Sequence, residues 1–459
     1  MPVLDSLVRP RFVLFVAAVA AAGCSTDAKP AASDAGVPGS TTDGKAPSSD
    51  SGETASCAPD ESAPVPAGRC APVDGGAGTT PGCNEWVKVD VPGKVCGDGS
   101  PYKFFVNYSN KSNNLVISFE PGGACWDYDS CSGKTGIRGA ANPHGIPDNH
   151  MDTYKYLNLL QRTDQNPAAD YNMVFVPYCT GDIHSGNNVI TYTNAGDGGT
   201  DSITFHHAGH ENTLAVVDWV KQHFTHVPKL LVTGCSAGGA GAIINYHFIR
   251  KGLGDAAQCG YLLDDSGPIF HSDGPSKQLH EKVRSAWNVD SVLDTLDGKI
   301  PVAIADLKND FGLLNVALSK EFPKDRLSLT LYREDLNYSL YSYQRFFPGS
   351  TESDIHGYWW TDVQSLMKTY DGLPNMAYYI PYFRSDNCSH CVSIPPLDHL
   401  EYVTSNPWFG SEIQADKLSL KDFTTTLLDD KKPLKSYLED VQPTEKFTSD
   451  ESNMCMAGG

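Results

Sequence analysis

"LLVTGCSAGGAGAIINYHFIR", Leu230 to Arg250, joins an apolar run to a knot of small residues with Ser236 inside it, and a helical pattern follows. Leu and Val ending at glycine, then apolar residues at helical spacing, read as strand, turn and helix. A nucleophile elbow requires this context: the glycines let the chain turn sharply and leave the serine hydroxyl exposed at the strand's end. A helix that begins at the turn also aims backbone N–H groups and its positive end at a developing oxyanion. In a chain with 42 glycines the pattern G-x-S-x-G is weak alone, and strand–helix packing accounts for the glycines equally well. Packing does not account for a serine at the carboxyl end of a strand, where reactive residues of parallel sheets collect. Ser236 is the candidate nucleophile.

The surroundings supply the rest of a sheet. "NEWVKVDV" (84–91) and "YKFFVNYS" (102–109) alternate like strands. Short apolar runs follow at "NLVISFE" (114–120), "YNMVFVPYC" (171–179), "KLLVTG" (229–234), "CGYLLDDSG" (259–267) and "KIPVAIADL" (299–307). Between them "NTLAVVDWVKQHF" (212–224) is apolar at helical spacing. Buried strands alternating with helices predict an α/β fold, with a mostly parallel central sheet flanked by helices. From about Leu327 to Tyr382 the chain is rich in aromatic residues without strand periodicity, which predicts a helical, aromatic-rich insertion or lid.

The 459 residues, 40% of them hydrophobic, suffice for a sizeable core. A formal net charge of −20 argues against nucleic acid as a partner, since phosphate neutralisation needs a basic surface. It also disfavours a strongly polyanionic substrate. Arg9 and Arg11 precede "FVLFVAAVAAA", which is too short for a permanent membrane span. The series "AAGC" resembles a bacterial lipoprotein cleavage site, although Ala21 stands where Leu is commoner; Cys24 would then be lipidated. An ordinary secretory signal is the alternative, and either implies export. The expected organisation is a signal over 1–24, a disordered Ala/Pro/Ser/Gly-rich tether over 25–82, and a single domain over 83–459. Such a tether would reach on the order of 40 Å. Thirteen cysteines less Cys24 leave twelve, and export predicts several disulfides. Cys235 is expected as a buried free thiol, and Cys57 and Cys70 as staples within the tether or onto the domain.

A serine nucleophile needs an oxyanion hole, a base and an acid. After "NLVISFE" comes "PGGACWDYDSC", where Gly122, Gly123 and Ala124 bring backbone N–H groups close to a substrate oxygen; Ala237 offers another donor. "GCSAGGAGAIINYHF", "ISFEPGGACWD" and the "CSHC" of Cys388–Cys391 together resemble the pectin acetylesterase/Notum family. The resemblance spans about Cys83 to His399, with the three motifs in the family's order. It implies an α/β-hydrolase-like fold and metal-free Ser-Asp-His ester hydrolysis. By the same resemblance "PVAIADLKND" (301–310) places the acid at Asp310, with Asp306 as runner-up, and "NCSHCVS" (387–393) places the base at His390, with His399 as its rival. "DDSG" (264–267) matches an element of structural support. His184, His206, His207 and His210 precede the serine, against the usual order.

No cofactor and no metal are expected: Cys388 and Cys391 lack a second C-x-x-C. "FHHAGHEN" (205–212) lacks H-E-x-x-H and reads as a loop capping a helix. Asp182 and His184 either line the pocket or tie their loop together. Tyr358, Trp359 and Trp360 fit a lid core better than a grip on substrate. The expected protein is a monomeric, envelope-anchored or secreted serine carboxylesterase, with the membrane reached only through the lipid. Its expected substrate is an ester such as an O-acetyl group on a polysaccharide. The contrasting reading is a non-catalytic surface binding or adhesion protein on the same scaffold.

Overall fold

The computed structural model describes residues 57–71, 81–133, 141–155, 157–194, 200–384, 389–393, 413 and 418–440. Cys24, Cys388, His399 and Cys455 lie outside them.

Eleven strands are present among these residues: β1 (Trp86–Val95), β2 (Pro101–Asn107), β3 (Leu115–Phe119), β4 (Asn172–Val176), β5 (Asn188–Thr193), β6 (Ser202–His207), β7 (Val227–Cys235), β8 (Ala257–Asp265), β9 (Arg326–Thr330), β10 (Met376–Ile380) and β11 (Tyr437–Leu438). Nine form one sheet in the order β1-β2-β4-β3-β7-β8-β9-β10-β11, while β5 and β6 form a separate hairpin. β1, β2 and β4 pair antiparallel, and every pair from β4 through β3 to β11 is parallel. Strands β3, β4, β9 and β10 are buried along their whole length. A parallel sheet covered on both faces requires this.

Register lines up the functional edge. Phe119 of β3 pairs with Gly234 of β7, and Cys235 of β7 pairs with Asp265 of β8, which pairs in turn with Thr330 of β9. The carboxyl ends of four adjacent strands therefore finish level. With an elbow after β7, this architecture is that of an α/β-hydrolase.

Two elements differ from the sequence reading. "KIPVAIADL" is no strand: Ile304–Asn309 is a helix, with Ile304 and Leu307 buried three residues apart, and Gly298 at φ 66° turns the chain just upstream. The 327–382 segment is not wholly an insertion, because it opens in β9 and closes in β10. Each of these strands has five buried residues, so neither shows the alternation that marks a half-buried strand. Between them lie the aromatic-rich helices Leu336–Tyr343 and Glu352–Asp371. Trp359 is fully buried there, its ring against Phe270 and Tyr338.

The packed body begins before Cys83. Cys57 is bonded to Cys259 of β8 and Cys70 to Cys83, and Arg69 donates to the Ser112 carbonyl and the Asn113 side chain. These bonds hold residues 57–71 on the domain. Cys235, expected to be free, is paired with Cys391.

Glycine decides how closely the elbow helix, Ala237–Leu253, approaches the sheet. A Cβ on Gly238 would lie 2.2 Å from the Phe119 carbonyl oxygen, and one on Gly239 would lie 2.5 Å from that of Asp265. Both obstacles are backbone, so neither yields cheaply. Gly238→Ala is expected to cost about 1–3 kcal/mol of stability, read from the midpoint of urea unfolding.

Candidate active site

The elbow is strained as a serine nucleophile requires. Ser236 has φ 57° and ψ −122°, and positive φ at a non-glycine residue persists only where its surroundings hold it. Two backbone bonds do so: the Ser236 N–H donates to the Asp265 carbonyl at 2.8 Å, and its own carbonyl accepts from Ala240 N–H at 3.0 Å. The side chain is partly exposed between two buried neighbours.

The loop after β3 faces it. Gly122 has φ 151° and Gly123 φ 66°, and a Cβ on Gly122 would lie 2.5 Å from that of Ala141. Among the described residues none accepts from the N–H groups of Gly123, Ala124 or Ala237. The loop is braced from behind by Glu120, which is fully buried. Its carboxylate accepts from Tyr178 N–H and the Asn142 amide and meets the His150 ring at 2.9 Å.

His390 lies in the loop beyond β10, and its Nδ1 is 2.7 Å from Asp335 Oδ2. Asp335 follows β9 and caps the helix Leu336–Tyr343, its other oxygen accepting from the N–H groups of Asn337 and Tyr338. Both members of the pair are buried. The Asp335 carboxylate orients the His390 ring through Nδ1. The base segment is anchored on β8: Asp265 accepts from the N–H groups of Val392 and Ser393, and Ser266 Oγ accepts from Cys391 N–H. Burial pushes the Asp265 carboxyl up, although Ser393 and Thr330 donate to it. Asp265 and Ser266 of "DDSG" thus hold residues 391–393 in place.

Asp310 is elsewhere. Its Oδ2 meets Nδ1 of His271 at 2.7 Å, and the other nitrogen of that ring meets Thr369. Burial opposes its charge, but the His271 hydrogen bond and the Ser272 N–H hold the Asp310 carboxyl below the usual range. The same bond raises His271. Asp306 lies within the helix Ile304–Asn309 and Asp310 stands at its C-terminal end, so neither follows a strand that ends at the functional edge, and the carboxylate beside His390 is Asp335. Sequence reasoning missed it because β9 went unrecognised. The available signal was Asp335 itself, an N-cap residue ahead of "LNYSLY".

Asp182 and His184 tie their loop. The Asp182 carboxylate accepts from Thr180 Oγ1, Gly186 N–H and Gly209 N–H, the last at the start of the helix Gly209–His223. Burial pushes this carboxyl up to about 7. His184 donates through Nε2 to the Glu120 carbonyl, and burial lowers its ring to about 4. His207 is spent on the Thr180 carbonyl and Tyr192. Cys235 and Cys391 lie with a His390 nitrogen in one cluster, but their sulfurs are bonded to each other and are not thiolate ligands.

A family model described as pectinacetylesterase matches residues 85–302. Over that stretch the chain is similar to the pectin acetylesterase family. It is 28% identical over 186 residues to pectin acetylesterase 4 of Arabidopsis thaliana, covering 38% of this chain and 42% of that protein. It is 26% identical over 153 residues to the palmitoleoyl-protein carboxylesterase notum2 of Xenopus laevis, covering 33% of this chain and 29% of that one. The chain therefore spans less than half the length of these curated relatives. A solved Wnt deacylase Notum from Drosophila superposes with a TM-score of 0.48 at 16% identity, covering 74% of this chain and 92% of that one. The matched stretch holds the elbow and the loop after β3, while Asp335 and His390 lie beyond it.

The two carboxylates make opposite predictions. Asp335→Asn is expected to lower kcat on p-nitrophenyl acetate by about 10²–10⁴-fold. Asp310→Asn is expected to stay within about threefold of wild type. Steady-state kinetics on both variants checks this.

Proposed function

We propose that the protein is an exported serine carboxylesterase. The observation that carries this reading is the convergence, at one level sheet edge, of a strained Ser236, uncommitted N–H groups and a buried histidine–aspartate pair. In the proposed cycle Ser236 Oγ attacks the ester carbonyl carbon and passes its proton to His390 Nε2. The N–H groups of Ala237 and of Gly123 or Ala124 hold the oxyanion. Collapse breaks the bond to the leaving alkoxide, which takes the proton from His390. Water, deprotonated by the same nitrogen, then releases the acid and restores Ser236. Asp335 orients the ring and stabilises its charged form.

The acyl group we infer is short. A cavity of about 30 Å³ lies beside the site, lined by Ile269, Phe270, Leu279, Phe311, Tyr338 and Tyr341. The Tyr338 ring centroid is 6.3 Å from that of His390, and Tyr341 sits edge-on to Trp126 just past the Gly122–Ala124 loop. That space, reached from the site past Tyr338, is small and closed in by apolar side chains, which favours a short acyl group such as acetyl over a long chain. An O-acetyl group on a polysaccharide is the substrate class that fits. Export is supported by five disulfides among the described residues, which persist in oxidising compartments. Lipidation at Cys24 remains part of the proposal, tested by metabolic labelling with a clickable fatty acid in wild type and Cys24→Ala.

Wild type is expected to turn over p-nitrophenyl acetate at least ~10-fold more efficiently than the octanoate. Ser236→Ala should abolish turnover by ~10³-fold or more, together with labelling by a fluorophosphonate. Equal background rates in wild type and Ser236→Ala would sink the esterase reading. A preference for octanoate would move the substrate to lipid esters.

A further inference from the structure

We propose that the Cys235–Cys391 disulfide is a positioning device that sets the distance between nucleophile and base; this rests on the esterase reading above. Cys235 immediately precedes Ser236, and Cys391 immediately follows His390. The two half-cystines lie 156 residues apart in sequence with Cα atoms 5.5 Å apart. One covalent bridge therefore joins the nearest neighbours of the two groups between which the proton moves. A His390 ring nitrogen lies within 4.8 Å of both sulfurs.

The other ties of the base segment run elsewhere. Cys391, Val392 and Ser393 donate to Asp265 and Ser266 at the end of β8, and the His390 ring is held by Asp335, which follows β9. Ser236 rides on β7. Among the described residues, the bond that ties Cys391, Val392 and Ser393 to β7 is the disulfide. Ser389 and Cys391, on either side of His390, have φ 49° and 59°, a conformation that side-chain-bearing residues rarely hold unaided. A base must sit within hydrogen-bonding reach of the hydroxyl proton, and about 1 Å of misplacement can cost roughly 100-fold. The bridge removes that freedom. Both cysteines are 3% exposed, so the link sits in the packed interior as a strut.

The test compares full-length C235A/C391A with wild type by circular dichroism, p-nitrophenyl acetate kinetics and fluorophosphonate labelling. The expected result is a native spectrum, KM within about threefold, kcat lower by at least ~10-fold, and labelling of Ser236 slowed in proportion. A bridge that only stabilises the fold would lower the unfolding midpoint and leave kcat and labelling rate unchanged, which overturns the inference. If the double variant does not fold, folded wild type is titrated with a phosphine reductant and each cysteine is followed by differential alkylation and mass spectrometry. Loss of kcat in step with the Cys235 and Cys391 thiols, recovered on reoxidation, supports the strut. Full kcat after those thiols appear, or free thiols at the outset, overturns it. Active Ser236→Ala protein would instead remove the esterase reading; an inactive one beside a fully active double variant removes only the strut.

Discussion

A serine held at φ 57° and ψ −122° stands uphill by on the order of 1–3 kcal/mol, and much of the site's architecture is arranged around keeping it there. The turn works only if the elbow helix starts tight against the sheet, hence the glycines at 238 and 239. Gly238 fits under the end of β3 and Gly239 under the end of β8. Those contacts draw the loops after β3 and β8 toward the serine from opposite sides. The first carries N–H groups that no described residue accepts from, and the second carries Asp265, which grips the segment that follows His390. One local conformational cost thus fixes three walls of the site.

The central sheet was legible because its strands are short apolar runs punctuated by glycine and by helices of clear period. Ser236 and the Gly122–Ala124 loop were placed at strand ends by the apolar runs before them, and the structure puts them after β7 and β3; His390 was named from the resemblance, and the structure puts it in the loop after β10. What escaped the reading was burial without alternation. β9 and β10 are covered on both faces, so they lack the period-two pattern, and the helix Ile304–Asn309 has an apolar content that imitates such a strand. The two errors compounded. With a false strand at 299–307 and a true one hidden at 326–330, the carboxylate beside His390 was sought at Asp310, whereas the structure places Asp335 there.

Asp310 shows why a carboxylate–histidine pair is weak evidence in isolation. The Asp310–His271 contact and the Asp335–His390 contact are both 2.7 Å long. What separates them is setting. The ring nitrogen of His271 that faces away from Asp310 is committed to Thr369, whereas His390 sits beside the elbow with a disulfide partner of Cys235 as its neighbour. Cys235 was misjudged for a related reason. Its burial at the end of a strand was correctly expected, yet the partner that burial brings near lies 156 residues away, and sequence spacing carries no sign of it.

The bond between Cys57 and Cys259 has a mechanical meaning. Cys259 lies near the start of β8, six residues before the level edge at Asp265. A pull delivered through residue 57 enters the sheet by a covalent bond at that far end and spreads sideways as shear through the ladders that β8 makes with β7 and β9. Shear across parallel ladders loads many hydrogen bonds at once. The disulfide to residue 57 thus enters β8 at the end of the strand remote from Ser236.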